Sequence, residues 1–195
     1  MGRSITADAL ARTEGTWHGP QMRFKPSFCI VCGRPLATQS EPLEPEKARL
    51  RCSDAACGWT FYDNPVPVVA AVVEYEGDVV LVRNLDWPGN WFGLVTGFLE
   101  RGETPAEAVL RELKEELGLD GELVEFLGSY GFPEMNQVIL AWHVRAAGTL
   151  VMGAELAAYK RVPLDKLRPW PMGTGKAVAD FLARRATGSV SPLAP

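Results

Sequence analysis

The chain has no apolar stretch long enough to cross a bilayer. Its longest run, near Val66 to Val73, falls far short of the roughly 20 residues a membrane helix needs. Met1 to Pro20 carries Arg3, Asp8, Arg12 and Glu14 among short apolar segments and lacks a signal-like core. Both absences lead us to expect a cytoplasmic protein with no membrane partner. Basic residues are not in surplus either. Lys and Arg number 20 against 24 Asp and Glu, a net charge of -4, which argues against extended nucleic-acid binding and requires an anionic substrate to be drawn in by metal. Histidine is scarce. His18 and His143 are isolated, so neither has a partner at metal-site spacing, and His143, within a strand pattern, reads as a packed or surface residue. Cysteine is absent outside positions 29 to 57. At 195 residues there is room for one full domain and a small appendage.

What is present is concentrated between residues 97 and 119. Glu112, Glu115 and Glu116 stand at i, i+3 and i+4, so on a helix they project within an arc of about 100° on one face. Such carboxylates repel, and something cationic must offset them. Hard divalent ions prefer carboxylate oxygen, and Mg²⁺ (or Mn²⁺) characteristically bridges protein carboxylates to substrate phosphates. The opposite face, Ala106, Val109, Leu110, Leu113 and Leu117, is an apolar stripe for packing on a core. Thr104-Pro105-Ala106-Glu107 provides a capping Thr, a first-turn proline and a capping-box Glu. Gly118 provides a left-handed stop. The expected helix runs from Pro105 to Leu117.

The whole run, Gly97-x5-Glu103-x7-Arg111-Glu112-Leu113-x-Glu115-Glu116-x-Gly118-Leu119, matches the Nudix box, and the chain resembles that family. The resemblance implies an α/β/α sandwich with a mixed sheet, the box forming loop, helix and loop, and hydrolysis of a nucleoside diphosphate linked to another moiety. It implies that Glu112, Glu115 and Glu116 hold the catalytic metals, with the Gly97 carbonyl as a further ligand. Glu103 and Arg111 would orient the loop and the carboxylates through charge-assisted hydrogen bonds. The identity of the general base is left open, because it varies among relatives.

The four cysteines form two close pairs, Cys29-x2-Cys32 and Cys52-x4-Cys57, the pattern of a four-thiolate zinc ribbon. A redox dithiol would not need the second pair, and a cytosolic setting disfavours disulfides. Four thiolates close a tetrahedral ion, so the zinc is expected to be structural. About forty residues, 24 to 63, have too few apolar side chains for a core and would need this staple. The expected organisation is an extension over 1–23, a zinc ribbon over 24–63, a Nudix domain over 64–186 and a loose tail over 187–195. Ala37 to Lys47 reads as an exposed loop.

Within the larger unit, Val68 to Tyr75 and Val79 to Val82 read as a hairpin through Glu76-Gly77-Asp78. Asn90 to Thr96 is expected as a strand delivering Gly97. Leu123 to Tyr130 and Gln137 to Arg145 are further strands, and Ala177 to Arg185 a closing helix with Val178, Phe181 and Leu182 inward. Gly173-Thr174-Gly175-Lys176 echoes a phosphate loop, but it lacks the first glycine and the final hydroxyl and reads as a helix start.

A ribbon before a Nudix domain also resembles the NADH pyrophosphatases and their zinc-ribbon relatives, often dimers, which implies a homodimer. Their Ser-Gln-Pro-Trp-Pro-Phe-Pro motif is replaced here by Gly128-Ser129-Tyr130-Gly131-Phe132-Pro133-Glu134. ADP-ribose and FAD therefore stand beside NADH as substrates. Tyr130 and Phe132 are candidates to stack on a base, and Glu134 to add a carboxylate; packing and solvation are the plain alternatives. Trp87, Trp91, Trp142 and Trp170 read first as core and rim. Two other readings share the fold: a nucleotide-sensing or binding module, and hydrolysis of NAD-capped RNA.

Overall fold

The computed structural model describes residues 25–41, 44–87 and 89–188. The expected N-terminal extension, and the tail beyond Gly188, lie outside them. Two sheets organise the described chain.

The first is small and antiparallel, in the order β1 (Leu36–Ser40), β2 (Ala48–Cys52), β3 (Thr60–Phe61). The expected loop from Ala37 is therefore a strand at its start. Its side chains are almost all exposed, so no apolar alternation marks it in the sequence.

The second sheet is mixed, in the order β7-β8-β4-β5-β9, with β6 also on β4. β4 (Val66–Tyr75) and β5 (Asp78–Asn84) form the expected hairpin. The turn is only Glu76 and Gly77, both with positive φ (48° and 84°), as a two-residue hairpin turn matched to strand twist requires. β4 is paired with β5 only from Val73 onward, so its earlier half is free to take β6 (Val95–Phe98). The strand expected from Asn90 begins later, with a single bridge at Gly93 to Val82 before it. β7 (Asp120–Phe132), β8 (Gln137–Ala147) and β9 (Leu156–Pro163) complete the sheet. β8 runs parallel to β4, from Val66 opposite Gln137 to Tyr75 opposite Ala146.

Alternation along β4 divides the core. Val69, Ala71, Val73 and Tyr75 join a cluster with Ala108, Val109, Leu113 and Leu117 of helix α1 (Pro105–Leu117). Val68, Ala70 and Val72 join a second cluster with Ala177, Val178 and Phe181 of helix α2 (Gly175–Thr187). The layers are thus helix, sheet, helix, with the sheet apolar on both faces, as a central strand covered on both sides must be. α2 also holds the sheet by polar contacts. Arg184 donates to Glu125 at 2.7 Å and Arg185 to Glu74 at 2.9 Å. Glu74 also bonds His143 at 3.0 Å, a buried residue whose pKa burial lowers against the pull of that carboxylate. Thr187, expected in the tail, is the last residue of α2, and Gly188 closes it at φ 65°.

Candidate active site

α1 has the expected ends. Thr104 Oγ1 accepts from the Glu107 amide at 3.3 Å, Glu107 accepts in return from the Thr104 amide at 2.7 Å, and Gly118 stops the helix at φ 67°. With the apolar face fixed on the sheet, the acidic face meets β6.

Arg111 is the hub of that face. Its guanidinium grips Glu103 through two bonds, 3.0 and 2.8 Å, and donates to the Phe98 carbonyl at 3.1 Å. Its Nη1 is shared between Glu112 at 2.8 Å and Glu115 at 3.1 Å. The loop from Phe98 to Thr104 is thereby tied to the helix, with Glu103 also accepting from the Glu100 amide at 2.7 Å. The Arg111 bonds hold the Glu103 carboxyl below its usual range, helped by that amide, and the Glu103 carboxylate raises the Arg111 pKa.

Gly97 lies against Glu112 so closely that no side chain fits between them. Burial raises the pKa of Glu112, with Arg111 opposing and Glu115 and Glu155 adding to the rise. Glu116 is deeper, only 5 % exposed, and its Oε2 has no hydrogen-bond partner. Burial, then the charges of Glu112, Glu155 and Glu115, push its carboxyl up to about 8. A buried acceptor left in this state is costly unless something positive joins it.

Glu155 is a residue that sequence reasoning missed. It is placed by the segment after β8, where Val151 and Gly153 donate their amides to the Leu117 and Glu116 carbonyls at 2.9 and 2.7 Å. These bonds satisfy the open end of α1. A Cβ at Gly153 would stand 2.3 Å from the Glu115 carbonyl oxygen, so the close approach needs glycine. The Glu155 carbonyl then accepts from Leu85 at 2.9 Å. The only sequence signal was an isolated glycine before an acid, with no periodicity to mark it.

The acids border a cavity of about 500 Å³, lined by Gly97, Arg111, Glu112, Glu115, Glu155 and Phe132 among others. Glu116 lies buried beside this wall, and Glu103 braces it through Arg111. Tyr130 and Glu134 are not among the lining residues. Tyr130 donates to Asp180 of α2 at 2.7 Å and packs in the α2-side cluster, where burial and then that bond raise its pKa. Glu134 is exposed on a 3-10 turn over Pro133–Met135. β7 shifts register against β8 between Leu123 and Glu125 and again between Phe126 and Gly128. Each one-residue shift reverses the facing of the side chains after it and the second undoes the first, so Tyr130 and Phe132 share the α2-side face and differ in their position along the strand.

Among the described residues, one set of ligand atoms already closes on a point: the sulfurs of Cys29, Cys32, Cys52 and Cys57, all within 4.8 Å of one another. Cys29 and Cys57 are 3.7 Å apart and Cys32 and Cys52 3.4 Å. Tetrahedral zinc with bonds of about 2.3 Å spaces its sulfurs about 3.8 Å apart, so the set fits that ion. The carboxylates close on the Arg111 guanidinium instead. Their all-oxygen character and the orphaned Glu116 oxygen fit a hard divalent cation.

The sandwich and the box on its first helix define a class, and the NUDIX domain model matches residues 64–181. The chain belongs to the Nudix family. It is similar to the NAD-capped RNA hydrolase NudC of Pseudomonas aeruginosa, 26% identical over 172 residues covering 86% of this chain and 59% of that protein. NudC of Mycobacterium bovis is 32% identical over 108 residues, 55% of this chain and 34% of that protein. The chain thus spans about three fifths or less of the curated relatives it matches. A Nudix hydrolase structure from Nitrosomonas europaea superposes with a TM-score of 0.72 at 22% identity, covering 85% of this chain and 96% of that one. An ADP-ribose pyrophosphatase from Streptococcus suis superposes at 0.52 and 22% identity, covering 63% and 92%. At these identities the structures speak for the fold. No helix among the described residues is long and apolar enough to cross a membrane.

Proposed function

We propose that this chain is a Mg²⁺- or Mn²⁺-dependent pyrophosphohydrolase that cleaves the diphosphate of a nucleoside diphosphate derivative, in the cytoplasm. The reading is carried by the buried, unpartnered Glu116 oxygen beside Glu112, Glu115 and Glu155 on the wall of the cavity. Divalent ions held by Glu112, Glu115, Glu116, Glu155 and the Gly97 carbonyl would neutralise the diphosphate and lower the pKa of an attacking water. The chain's own residues position these groups. Arg111 sets the direction of Glu112 and Glu115, Glu103 holds Arg111, and the packed face of α1 keeps the array rigid. In the reaction, water adds to one phosphorus, the bridging P–O bond breaks, and the two phosphate products leave.

ADP-ribose, NADH, FAD and the NAD-capped 5′ end of RNA all present the same scissile bond, and the NudC relatives favour including the last. The cysteine cluster would hold a structural zinc, stapling a ribbon over 24–63 that precedes the catalytic unit over 64–186. A homodimer is the expected assembly.

The test is release of AMP from NADH, ADP-ribose, FAD and dinucleoside polyphosphates, and of nicotinamide mononucleotide from NAD-capped RNA, with Mg²⁺. Turnover of at least one, abolished by chelation, is expected. Turnover of none, with nucleotide binding retained, would make the chain a sensing module.

A further inference from the structure

The same cavity has a second wall, which the phosphate chemistry does not use. Trp91 and Trp170 meet edge to face, with ring centroids 6.0 Å apart and planes at 82°. Trp87 closes the corner at Gly93, where a Cβ would stand 3.0 Å from Trp87 Cη2 and 3.8 Å from Trp91 Nε1. Gly93 is itself fixed, exchanging two 2.9 Å backbone bonds with Val82. The missing side chain at position 93 therefore lets two indoles converge over an immobile bridge. All three tryptophans line the cavity with Met172 and Phe132.

A tryptophan that serves only the core is enclosed, as Trp142 is at 7 % exposure. Trp91 is 39 % exposed and Trp87 and Trp170 are half-buried. Three partly open indoles on one concave wall exceed what packing alone requires, and their flat π surfaces suit a flat guest.

We propose that the Trp87, Trp91 and Trp170 corner is the subsite for the heteroaromatic ring of the substrate, a proposal that rests on the pyrophosphohydrolase reading. The diphosphate lies at the carboxylate wall and the ring against the indoles. Stacking is tolerant of ring identity because every base has a π face. The corner thus selects for a planar ring on the nucleoside diphosphate rather than naming the ring, and NADH, FAD and ADP-ribose all satisfy it.

The experiment pairs kinetics with metal-free binding in the full chain. Trp170→Leu is expected to raise KM for NADH by about fivefold or more, the scale of one base stack, while kcat stays within about twofold, because uniform binding is lost and the chemistry is not. Trp170→Phe, which keeps a flat ring, is expected to restore most of the KM, separating stacking from misfolding. AMP titrated without metal is expected to quench tryptophan fluorescence in the native protein and in Glu116→Gln, and to lose that quench in Trp170→Leu. An unchanged KM in a folded Trp170→Leu, or absence of quench by AMP in the native chain, overturns the subsite even if hydrolysis is robust. Conversely, Trp170-dependent quench without hydrolysis of any substrate keeps the subsite and removes the pyrophosphohydrolase reading.

Discussion

Gly97 and Glu112 share a space that holds only one side chain: a Cβ on Gly97 would stand 1.8 Å from the Glu112 Cδ and 1.9 Å from its Oε1. β6 approaches α1 at a distance that glycine alone permits, and the Glu112 carboxylate is laid along the strand backbone as a result. Gly97→Ala must therefore swing Glu112 away or part strand from helix. Displacement of a catalytic group by about 1 Å can cost on the order of 100-fold in rate. A loss of that size in kcat, with a lowered melting temperature, is expected, and activity measured beside thermal unfolding checks it. Native activity in Gly97→Ala would remove Glu112 from the proposed metal ligands.

Glu116→Gln is expected to reduce turnover by orders of magnitude while leaving the fold at least as stable, since Leu113, Leu117 and the rest of the apolar face are untouched. The pH dependence has a definite sign. The folded carboxyl sits at about 8 against an ordinary 4.5, so the native state holds the proton more tightly than the unfolded chain. That stabilisation is complete below about pH 4.5 and is lost as the pH rises through about 8. Without metal, the native melting temperature should decline more steeply over this window than that of Glu116→Gln. Mg²⁺, which takes the place of the proton, should raise the native melting temperature more at about pH 8 than at about pH 6. Parallel curves for the two proteins would sink the assignment.

Arg111→Lys keeps the charge and loses the fork. A single ammonium cannot grip Glu103 with two bonds, hold Glu112 and Glu115 and reach the Phe98 carbonyl at once. Outer-shell changes of this kind typically cost about 10- to 100-fold in activity or metal affinity. A Mg²⁺ titration of the rate should show a higher half-saturating concentration in Arg111→Lys; superimposable curves would show that Arg111 does not orient the acids.

Elemental analysis of the purified protein should find one zinc per chain. Cys52→Ser is expected to abolish it, because three thiolates leave the tetrahedral site open. The segment around β1 to β3, which has few buried side chains of its own, should then lose amide-exchange protection while the β4 to β8 core keeps it. Full zinc occupancy in Cys52→Ser would exclude that cysteine as a ligand.

How much of this was legible depends on how local each signal is. α1 was readable to the residue, since Thr104, Pro105, Glu107 and Gly118 carry its ends within the segment they bound. The β4–β5 hairpin was equally local. The apolar alternation that identifies strands also gave β8 its start at Gln137. The surroundings of Tyr130 were not legible because its partner Asp180 lies fifty residues further on in α2, and nothing within β7 announces that helix beside it. Glu155 and the tryptophan corner escaped for a related reason. Their neighbours come from β5, β6, α1 and the start of α2, and only the folded sheet brings such distant segments together. β1 was hidden by its exposure.

The parallel seam between β4 and β8 has a bearing on biosynthesis. Its first rung joins Val66 to Gln137, a separation of about seventy residues, and contacts this distant in sequence close slowly because the loop entropy must be met first. Translation delivers the clustered acids of α1 well before the ribosome has released the strand that completes the sheet beneath them. The carboxylate array of a nascent chain thus waits, without its foundation, until β8 emerges from the exit tunnel.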